Sequence, residues 1–378
     1  MDLIIEKMAT DAFGVGHYNG KTVLVCGSLP GERVECRITE DRSGYSIAEA
    51  VGVITPSPMR REAVCPYYES CGGCDFQIVG EKDSAELKKS VLVDNLRRIG
   101  KVESLPDDIP VYYGEFEGYR RRVRFHVDYP ARKWGFLGRK SSEIIPIRNC
   151  PAISRRLNSL LEDGRILLDE ARKAMFSNSL KRDTGHAEIR AFDGDDGLSL
   201  GKENVSIDIA GIRYTVNALV FFQSNPSVLP HLLSFVKENA IGDSIMDLYS
   251  GVGTFSALFE NTGKRVYAVE RDKLCLSLSK LNAPSALSFT ADVALWGKKN
   301  GRHVDTVIVD PPRTGLSREA LSEIISWKPE RIIYVSCNSS TLSRDAALMA
   351  DYKITKAAVF DFYPGTGHDE SALVLDRK

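Results

Sequence analysis

Cysteines form the first group of residues in this 378-residue chain whose types and spacing suit a chemical task. Cys65, Cys71 and Cys74 lie in CPYYESCGGC, with a C-x5-C-x2-C spacing, and Cys150 follows in an NCP segment. Four thiolates can hold a tetrahedral zinc ion or an iron–sulfur cluster. Zinc sites usually contain two C-x2-C pairs, and cluster-based radical enzymes use C-x3-C-x2-C, so this spacing disfavours the radical enzymes. The four cysteines predict a metal site, with zinc and a cluster both open.

A glycine loop forms the second group. In MDLYSGVGTFS, at 246–256, Gly251 and Gly253 follow a buried strand and permit close approach of the backbone to a nucleotide-like ligand. Glu270 ends the next strand, where a carboxylate can accept hydrogen bonds from ribose hydroxyls. Asp292 ends a third strand, in position to meet an adenine edge. A purely structural glycine turn is the alternative.

Three further side chains follow later strands. Asp310 lies at the tip of a fourth strand in VIVDPPRTGL, Cys337 follows a fifth strand in IIYVSCNSS, and Glu370 lies in the glycine-bracketed loop TGHDES. Because ligands of open α/β sheets bind outside the carboxyl ends of the strands, Asp310 and Cys337 should face the same crevice as the glycine loop. The alternatives are a helix-capping aspartate, an inert buried cysteine and a solvated loop acid.

A basic strip extends from Arg120 to Lys140. Its 21 residues include eight Lys or Arg and one acid, Asp128, for a net charge of +7. Four aromatic residues are interleaved, namely Phe125, Tyr129, Trp134 and Phe136. Cationic groups follow phosphates and aromatic faces stack on unpaired bases, so the strip predicts a surface for single-stranded or looped RNA. A solvated basic strand pair is the alternative.

The elements that must position these residues fall into three regions. Residues 1–57 alternate apolar and polar positions between turn signals, which predicts a five-strand barrel of the oligonucleotide-binding kind. Residues 58–215 contain the four cysteines and the basic strip, with helices predicted at 83–99 and near 154–176. Residues 216–378 alternate buried strand runs with helical lengths, which indicates a mostly parallel α/β sheet.

Composition excludes several classes of protein. Hydrophobic residues make up 43% and charged residues 27%, the usage of a globular chain rather than a disordered or fibrous one. The 50 Lys and Arg against 51 Asp and Glu give a net charge of −1, which excludes a uniformly basic nucleic-acid binder. We find no signal-peptide core or membrane-spanning run, so we expect a cytosolic protein with reduced thiols. Three further cysteines are expected to be structural: Cys26, Cys36 and Cys275.

Taken together, these motifs resemble the bacterial RNA 5-methyluridine methyltransferases, and in particular the iron–sulfur 23S ribosomal RNA (uracil-5-)-methyltransferases. The likeness covers nearly the whole chain. CPYYESCGGCDFQ with Cys150 is similar to the family's cluster-binding set. FFQSNP, DLYSGVGTFS, DPPRTGL, YVSCN and TGHDES are similar to its methyltransferase motifs in order and spacing. The opening stretch resembles a TRAM domain, which is an RNA-binding barrel.

The resemblance implies a fold class, a reaction and a set of site residues. We expect an α/β protein with a TRAM-like OB barrel at 1–57, a central iron–sulfur and RNA-binding domain at 58–215, and a class I (Rossmann-like) methyltransferase domain at 216–378. Cys337 would be the nucleophile that forms a covalent adduct with uracil, and Glu370 the base. The residues implied to bind S-adenosylmethionine are Gln223, Tyr249, Thr254, Glu270, Asp292 and Asp310. The residues implied to bind a [4Fe-4S] cluster are Cys65, Cys71, Cys74 and Cys150.

The implied substrate is a uridine flipped out of a ribosomal RNA loop and methylated at carbon 5 by a monomeric enzyme. A transfer RNA uridine methyltransferase would share the catalytic residues and stays open. An RNA-binding protein with an inactive methyltransferase fold is disfavoured by the presence of Cys337, Glu370 and Asp310. An NAD-linked oxidoreductase is disfavoured by Ser256, which replaces the third glycine of a dinucleotide fingerprint.

Overall fold

The computed structural model of the protein describes residues 1–176 and 185–378. Its strands are β1 (Asp2–Ile4), β2 (Lys7–Ala9), β3 (Phe13–Tyr18), β4 (Lys21–Cys26), β5 (Arg33–Asp41), β6 (Tyr45–Thr55), β7 (Val111–Tyr113), β8 (Arg122–Asp128), β9 (Lys133–Leu137), β10 (Ile144–Pro146), β11 (His186–Asp193), β12 (Leu198–Ser199), β13 (Val205–Ile209), β14 (Ile212–Val216), β15 (Ser244–Leu248), β16 (Arg265–Glu270), β17 (Leu287–Thr290), β18 (Thr306–Val309), β19 (Arg331–Ser336), β20 (Tyr352–Asp361) and β21 (Ser371–Arg377). Its α-helices are α1 (Glu81–Arg98), α2 (Arg155–Asp163), α3 (Arg165–Phe176), α4 (Leu229–Asn239), α5 (Lys273–Asn282), α6 (Val293–Asn300), α7 (Arg318–Ser326) and α8 (Ser339–Leu348).

The N-terminal region forms a six-stranded sheet in the order β1-β5-β6-β4-β3-β2. The prediction of five strands was therefore wrong by one. Both β1 and β2 are only three residues long, which is too short for a visible alternation of apolar and polar residues. They are nevertheless strands because Leu3 and Met8 each bury their side chains.

The helices of the central region differ from the prediction in one respect. The helix predicted at 83–99 is confirmed as α1. The helix predicted near 154–176 is instead two helices, α2 and α3. The break falls at Gly164, whose φ of 67° lies in the left-handed region and ends α2.

The basic strip lies on the five-stranded central sheet, whose order is β10-β9-β8-β11-β12. Along β8, Val123, Phe125 and Val127 are buried, and the arginines alternate with them. Of the strip's four aromatic residues, Phe125 is buried in the core of this sheet and is therefore closed to a base, whereas Tyr129, Trp134 and Phe136 pack against that core and are partly buried. Phe125 stacks on Phe136 with ring centroids 5.7 Å apart, and Trp134 Nε1 donates a hydrogen bond to the Leu161 carbonyl at 2.8 Å.

The C-terminal region contains an eight-stranded sheet in the order β17-β16-β15-β18-β19-β21-β20-β7. The first five strands of that order are parallel, which confirms the predicted α/β sheet. The segment from α1 to β7 also packs with this sheet. Strand β7 pairs with β20, and Leu92 and Leu96 of α1 lie in the hydrophobic core on one face of the sheet. The strand ends that hold the predicted site residues therefore meet at one edge. Among the described helices, none has the length and apolar character needed to cross a membrane.

Candidate active site

An acidic cavity of about 490 Å³ lies at the carboxyl ends of the parallel strands. Five carboxylate residues contribute to its lining, and we call it the acidic cavity for that reason. All eight residues predicted for methyl-donor binding and catalysis line it, namely Gln223, Tyr249, Thr254, Glu270, Asp292, Asp310, Cys337 and Glu370. Cys275, which was expected to be only structural, lines the same cavity. The tertiary fold thus brings side chains from seven separate segments around one space.

The glycine loop after β15 has a backbone shape that few residues adopt. Tyr249, Gly251 and Gly253 have φ angles of 61°, 53° and 80°, all in the left-handed region. Glu270 Oε2 accepts a hydrogen bond from the Gly251 amide at 3.0 Å. Ser256, in place of a third glycine, donates through its backbone amide and hydroxyl to the buried Asp247 Oδ2 at 3.0 and 2.6 Å. These bonds hold the loop in place before any ligand binds.

Asp292 has two roles in this geometry. Its Oδ1 atom caps α6 by accepting hydrogen bonds from the amides of Ala294 and Leu295, at 3.0 and 3.3 Å. The helix-capping role that the sequence analysis offered as the alternative for Asp310 is thus found instead at Asp292. The residue still lines the acidic cavity, so capping fixes the position from which the carboxylate meets a ligand.

Buried carboxyl groups raise one another's pKa beside this cavity. Burial, and then the charge of Asp247, raises the pKa of Asp310 to about 7. Burial likewise raises the pKa of Asp247 to about 7. Burial, followed by the charges of Asp310 and Asp369, raises the pKa of Glu370 well above its usual value. A positively charged ligand in the cavity would reverse this by favouring the ionised forms.

Cys337 lies where the acidic cavity meets a second one. The second cavity has a volume of about 550 Å³ and is lined by five arginines, so we call it the basic cavity. Four residues line both cavities, namely Phe221, Arg313, Cys337 and Glu370. Burial, and then the charges of Glu370 and Asp310, raises the pKa of the Cys337 thiol to about 12, and Arg313 opposes that shift.

The arginines of the basic cavity come from distant parts of the sequence. Arg122 and Arg124 lie on β8, Arg190 lies on β11 opposite Arg124, and Arg313 follows β18. Glu188 forms ion pairs with Arg124 and Arg190, at 3.3 and 3.0 Å. Within the described ranges, the buried Arg122 Nε has no hydrogen-bond partner. Burial lowers the pKa of Arg122, and the charges of Arg190 and Arg124 add to that effect. An anion would satisfy this group.

The four cysteines of the predicted metal site surround a third cavity, of about 360 Å³, which we call the cysteine cavity. Cys65, Cys71, Cys74 and Cys150 all line it, and burial raises the pKa of Cys150 to about 11. In the described part of the chain, no three His, Cys, Asp or Glu side chains form a group that could hold a metal ion. Arg120, Val123 and Arg124 line both this cavity and the basic cavity.

Comparison with known proteins identifies the family. Residues 298–378 match the family model described as tRNA (Uracil-5-)-methyltransferase, and residues 1–51 match the TRAM domain. The chain is 30% identical to the 23S rRNA (uracil(1939)-C(5))-methyltransferase RlmD of Methylococcus capsulatus, over 99% of this chain and 96% of the relative. This chain belongs to the RNA uracil-C5-methyltransferase family. It is also 26% identical to RlmD of Aeromonas salmonicida, over 100% of this chain and 96% of the relative.

The fold of this RNA uracil-C5-methyltransferase also matches a solved structure. The tRNA (uracil-54, C5)-methyltransferase of Pyrococcus abyssi, in complex with S-adenosyl-L-homocysteine, superimposes with a TM-score of 0.75 and 22% identity. The match covers 99% of both chains. The two proteins therefore share one fold along their whole length.

Two arginines of the methyltransferase's basic cavity were missed by reasoning from the sequence. Arg313 directly follows the Asp-Pro-Pro motif, so the sequence could have predicted its position beside the end of a strand. Arg190 had no such signal, because only the pairing of β11 with β8 brings it next to Arg124.

Proposed function

We propose that this enzyme transfers a methyl group from S-adenosylmethionine to carbon 5 of a uridine in 23S ribosomal RNA. The observation that carries the proposal is that Cys337 and Glu370 line both the acidic and the basic cavity. A group between two cavities can act on one ligand while the second ligand approaches from the other side. We expect the enzyme to act as a monomer.

The acidic cavity suits the methyl donor. We assign Glu270 to the ribose hydroxyls, Asp292 to the adenine edge and Asp310 to the sulfonium end, which carries a positive charge. The remaining lining residues assigned to the donor are Gln223, Tyr249 and Thr254. The donor supplies an electrophilic methyl group, and the cavity holds that group facing Cys337.

Cys337 makes carbon 5 reactive. Uracil carbon 5 is a poor nucleophile, so the Cys337 thiol first loses its proton to water, and the thiolate sulfur then bonds to carbon 6 while the double-bond electrons move toward oxygen 4. The thiol is the stable form in the unliganded site, where its pKa is raised to about 12 by burial. The sulfonium charge and Arg313 favour the thiolate that attacks.

Glu370 completes the reaction. Carbon 5 bonds to the methyl carbon as the methyl–sulfur bond of the donor breaks, which leaves carbon 5 with both a methyl group and a proton. The Glu370 carboxylate removes that proton, the carbon 5–carbon 6 double bond re-forms, and the Cys337 thiolate leaves. Glu370 lies beside Cys337 at the edge shared by the two cavities, which is where this proton would lie.

The basic cavity suits the uridine. A base within a stack hides carbon 5 and carbon 6, so the nucleotide must be flipped out, at a cost of a few kcal/mol. Arg122, Arg124 and Arg190 would hold the phosphates on either side of the flipped nucleotide. The unpartnered Nε of Arg122 and the burial of Phe125 in the core favour phosphate contacts over stacking here.

A covalent trap tests the mechanism. With 23S ribosomal RNA transcribed with 5-fluorouridine and with S-adenosylmethionine, the wild-type enzyme should form a stable adduct, because fluorine cannot leave as a proton. Cys337→Ala should form none, and Cys26→Ala, a variant of the N-terminal domain, should form it as the wild type does. An adduct in Cys337→Ala, or no adduct in the wild type, would contradict the proposal.

The choice of ribosomal RNA rests on the relatives that carry the 23S name at up to 30% identity over almost the full chain. The family model for residues 298–378 carries a transfer RNA name, which makes transfer RNA the second candidate. Mapping 5-methyluridine in both RNAs, with and without the gene, decides between them. Loss of a site in 23S RNA is the expected result, and loss confined to transfer RNA would overturn the assignment.

We further propose a [4Fe-4S] cluster in the cysteine cavity. A zinc ion would need its four sulfurs about 2.3 Å from one point, whereas a cluster distributes four thiolates over separate iron atoms. Four thiols around one cavity of about 360 Å³ fit the second arrangement. Cys65, Cys71, Cys74 and Cys150 would hold it, and it would brace the arginine strand β8 that borders the cavity.

Metal analysis tests the cluster. Anaerobically purified enzyme should be brown and contain about four iron and four sulfide ions per chain. Cys71→Ser should lose the colour and bind RNA more weakly, because β8 loses its support. Cys26→Ala should keep the wild-type iron content. A colourless protein with one zinc ion per chain would refute the cluster.

A further inference from the structure

One corner of the N-terminal sheet lies against the loops that border Cys337. The corner, Thr10–Ala12, connects β2 to β3. Asp11 Oδ1 accepts a hydrogen bond from Arg313 Nη2 at 2.7 Å, and His368 Nδ1 lies 4.0 Å from the same oxygen. Asp11 and Arg313 are 302 residues apart in sequence, so this contact joins the N-terminal sheet to the loop that follows β18.

The loop that carries Glu370 packs directly on the same corner. A Cβ atom on Gly367 would lie 2.5 Å from the Ala12 nitrogen and 2.5 Å from the Asp11 carbonyl carbon. The Gly367 amide also donates a hydrogen bond to Asp75 Oδ1 at 2.7 Å. The two backbones therefore touch without space for a side chain, three residues before Glu370.

The corner has an unfavourable backbone conformation. Asp11 and Ala12 have φ angles of 58° and 55°, in the left-handed region. For residues with a side chain, this region is sterically unfavourable. Strain of this kind persists only where surrounding contacts enforce it, and it concentrates at functional sites. The contacts available here are those with Arg313 and Gly367.

We propose that Asp11 is a positioning residue for methyl transfer, which holds the Arg313 guanidinium beside Cys337 so that the N-terminal domain completes the catalytic centre. The inference rests on the proposed function, because it assigns Cys337 as the nucleophile. Arg313 lines both cavities, and its long side chain is 49% exposed. Without an anchor, such a side chain samples many rotamers. The Asp11 carboxylate restricts Arg313 to the one that faces the shared edge.

Variants of Asp11 separate positioning from folding. Asp11→Asn keeps a residue that tolerates the left-handed region but removes the charge, and an exposed ion pair is worth up to about 1 kcal/mol. We therefore expect the single-turnover rate constant, at saturating RNA and donor, to fall about two- to fivefold. Asp11→Gly should lower the rate equally while the melting temperature stays the same or rises, because glycine relieves the backbone strain.

Two controls assign the effect to Arg313. Asp2→Asn removes an ion pair with Arg33 on the same sheet, at the same 49% exposure of the aspartate, and should leave the rate unchanged. In an Arg313→Met background, Asp11→Asn should not lower the rate further, because Asp11 acts only through the Arg313 side chain that this background lacks.

Three results would overturn the inference. They are a wild-type or faster rate in Asp11→Asn, a rate loss in Asp11→Gly that follows a fall in melting temperature, and full additivity with Arg313→Met. A faster rate would mean that Asp11 competes with an RNA phosphate for Arg313. None of these three results contradicts the proposed function. The proposed function fails only if the wild-type enzyme neither methylates RNA nor forms the 5-fluorouridine adduct.

Discussion

The acidic and basic cavities meet at Cys337, yet the chain builds them in different ways. The acidic cavity uses the carboxyl ends of neighbouring strands in one parallel sheet, all within residues 221–370. The basic cavity combines β8 and β11 of the central sheet with Arg313 of the C-terminal sheet. The position of the acidic cavity follows from the fold, because open α/β sheets bind nucleotide-like ligands at the carboxyl ends of their strands. The basic cavity exists only because two separate sheets face each other.

The two cavities are also opposite in charge, and each is unfavourable when empty of ligand. Burial raises the pKa of Asp310 on one side and lowers the pKa of Arg122 on the other. A cation in the first cavity would favour the ionised carboxyl groups, and a phosphate in the second would offset the burial of the arginine charges. Two cavities of opposite charge can therefore bind two ligands of opposite charge on either side of one thiol. The following experiments separate them.

The largest expected effect is at the shared edge. Glu370→Gln should lower the methylation rate about 10²- to 10⁴-fold, the usual contribution of a general base. Because the proton on carbon 5 then stays in place, methylated RNA should accumulate as a covalent complex with Cys337. Denaturing gels with radiolabelled RNA would detect it. A wild-type rate, or a rate loss without any trapped complex, would contradict the role of Glu370.

A smaller effect tests the glycine loop of the acidic cavity. A Cβ atom at Gly253 would lie 2.7 Å from Ser279 Oγ, whereas one at Gly251 meets nothing within 4 Å. Both positions have left-handed φ, so Gly251→Ala should cost about 1–2 kcal/mol and Gly253→Ala should cost more. Urea unfolding measures the free energy, and calorimetry should show weaker donor binding in Gly253→Ala. If both variants lose the same free energy of unfolding, the Ser279 side chain moves away from the new Cβ atom without destabilising the protein.

Arg122→Met tests the basic cavity alone. Loss of one phosphate contact should raise the KM for RNA about tenfold. It should also reduce the slope of log binding constant against log salt concentration by about 1. Donor affinity should stay at the wild-type value. Arg165→Met, at an exposed arginine paired with Asp163 away from all three cavities, serves as the control. A change in donor affinity in Arg122→Met would show that the two cavities are not separate.

The smallest effect concerns pH. Because burial raises the pKa of Asp310 to about 7, the group is mostly neutral below that pH and ionised above it. S-adenosylmethionine carries a sulfonium charge and S-adenosylhomocysteine does not. The ratio of their affinities should therefore shift a few-fold toward S-adenosylmethionine as pH rises from 6 to 8. Calorimetry with both ligands measures this ratio, and Asp310→Asn should abolish its change with pH.

Part of the site followed from the sequence because strand ends leave a local signature. Glu270, Asp310 and Cys337 each come at or just after a short apolar run, and parallel strands bring such positions to one edge. The aromatic residues of the basic strip show where this reasoning failed. Phe125 looked suited to stack on a base, but β8 turns its alternate residues inward, so this ring lies in the core of the central sheet. Trp134 of β9 packs against that core and is partly buried. Which face of a strand is buried depends on what packs against it.

By itself, the sequence determined the parallel sheet, the strand-end residues Glu270, Asp292, Asp310 and Cys337, and the four cysteines, because each rests on local patterns of hydrophobicity, spacing and residue type. Only the tertiary structure decided that Arg190 would join Arg122, that β7 would extend the C-terminal sheet, and that Asp11 would reach Arg313 across 302 residues. The physical reason is that contacts between distant segments depend on how whole sheets and loops pack, and a local pattern contains no information about its distant partner.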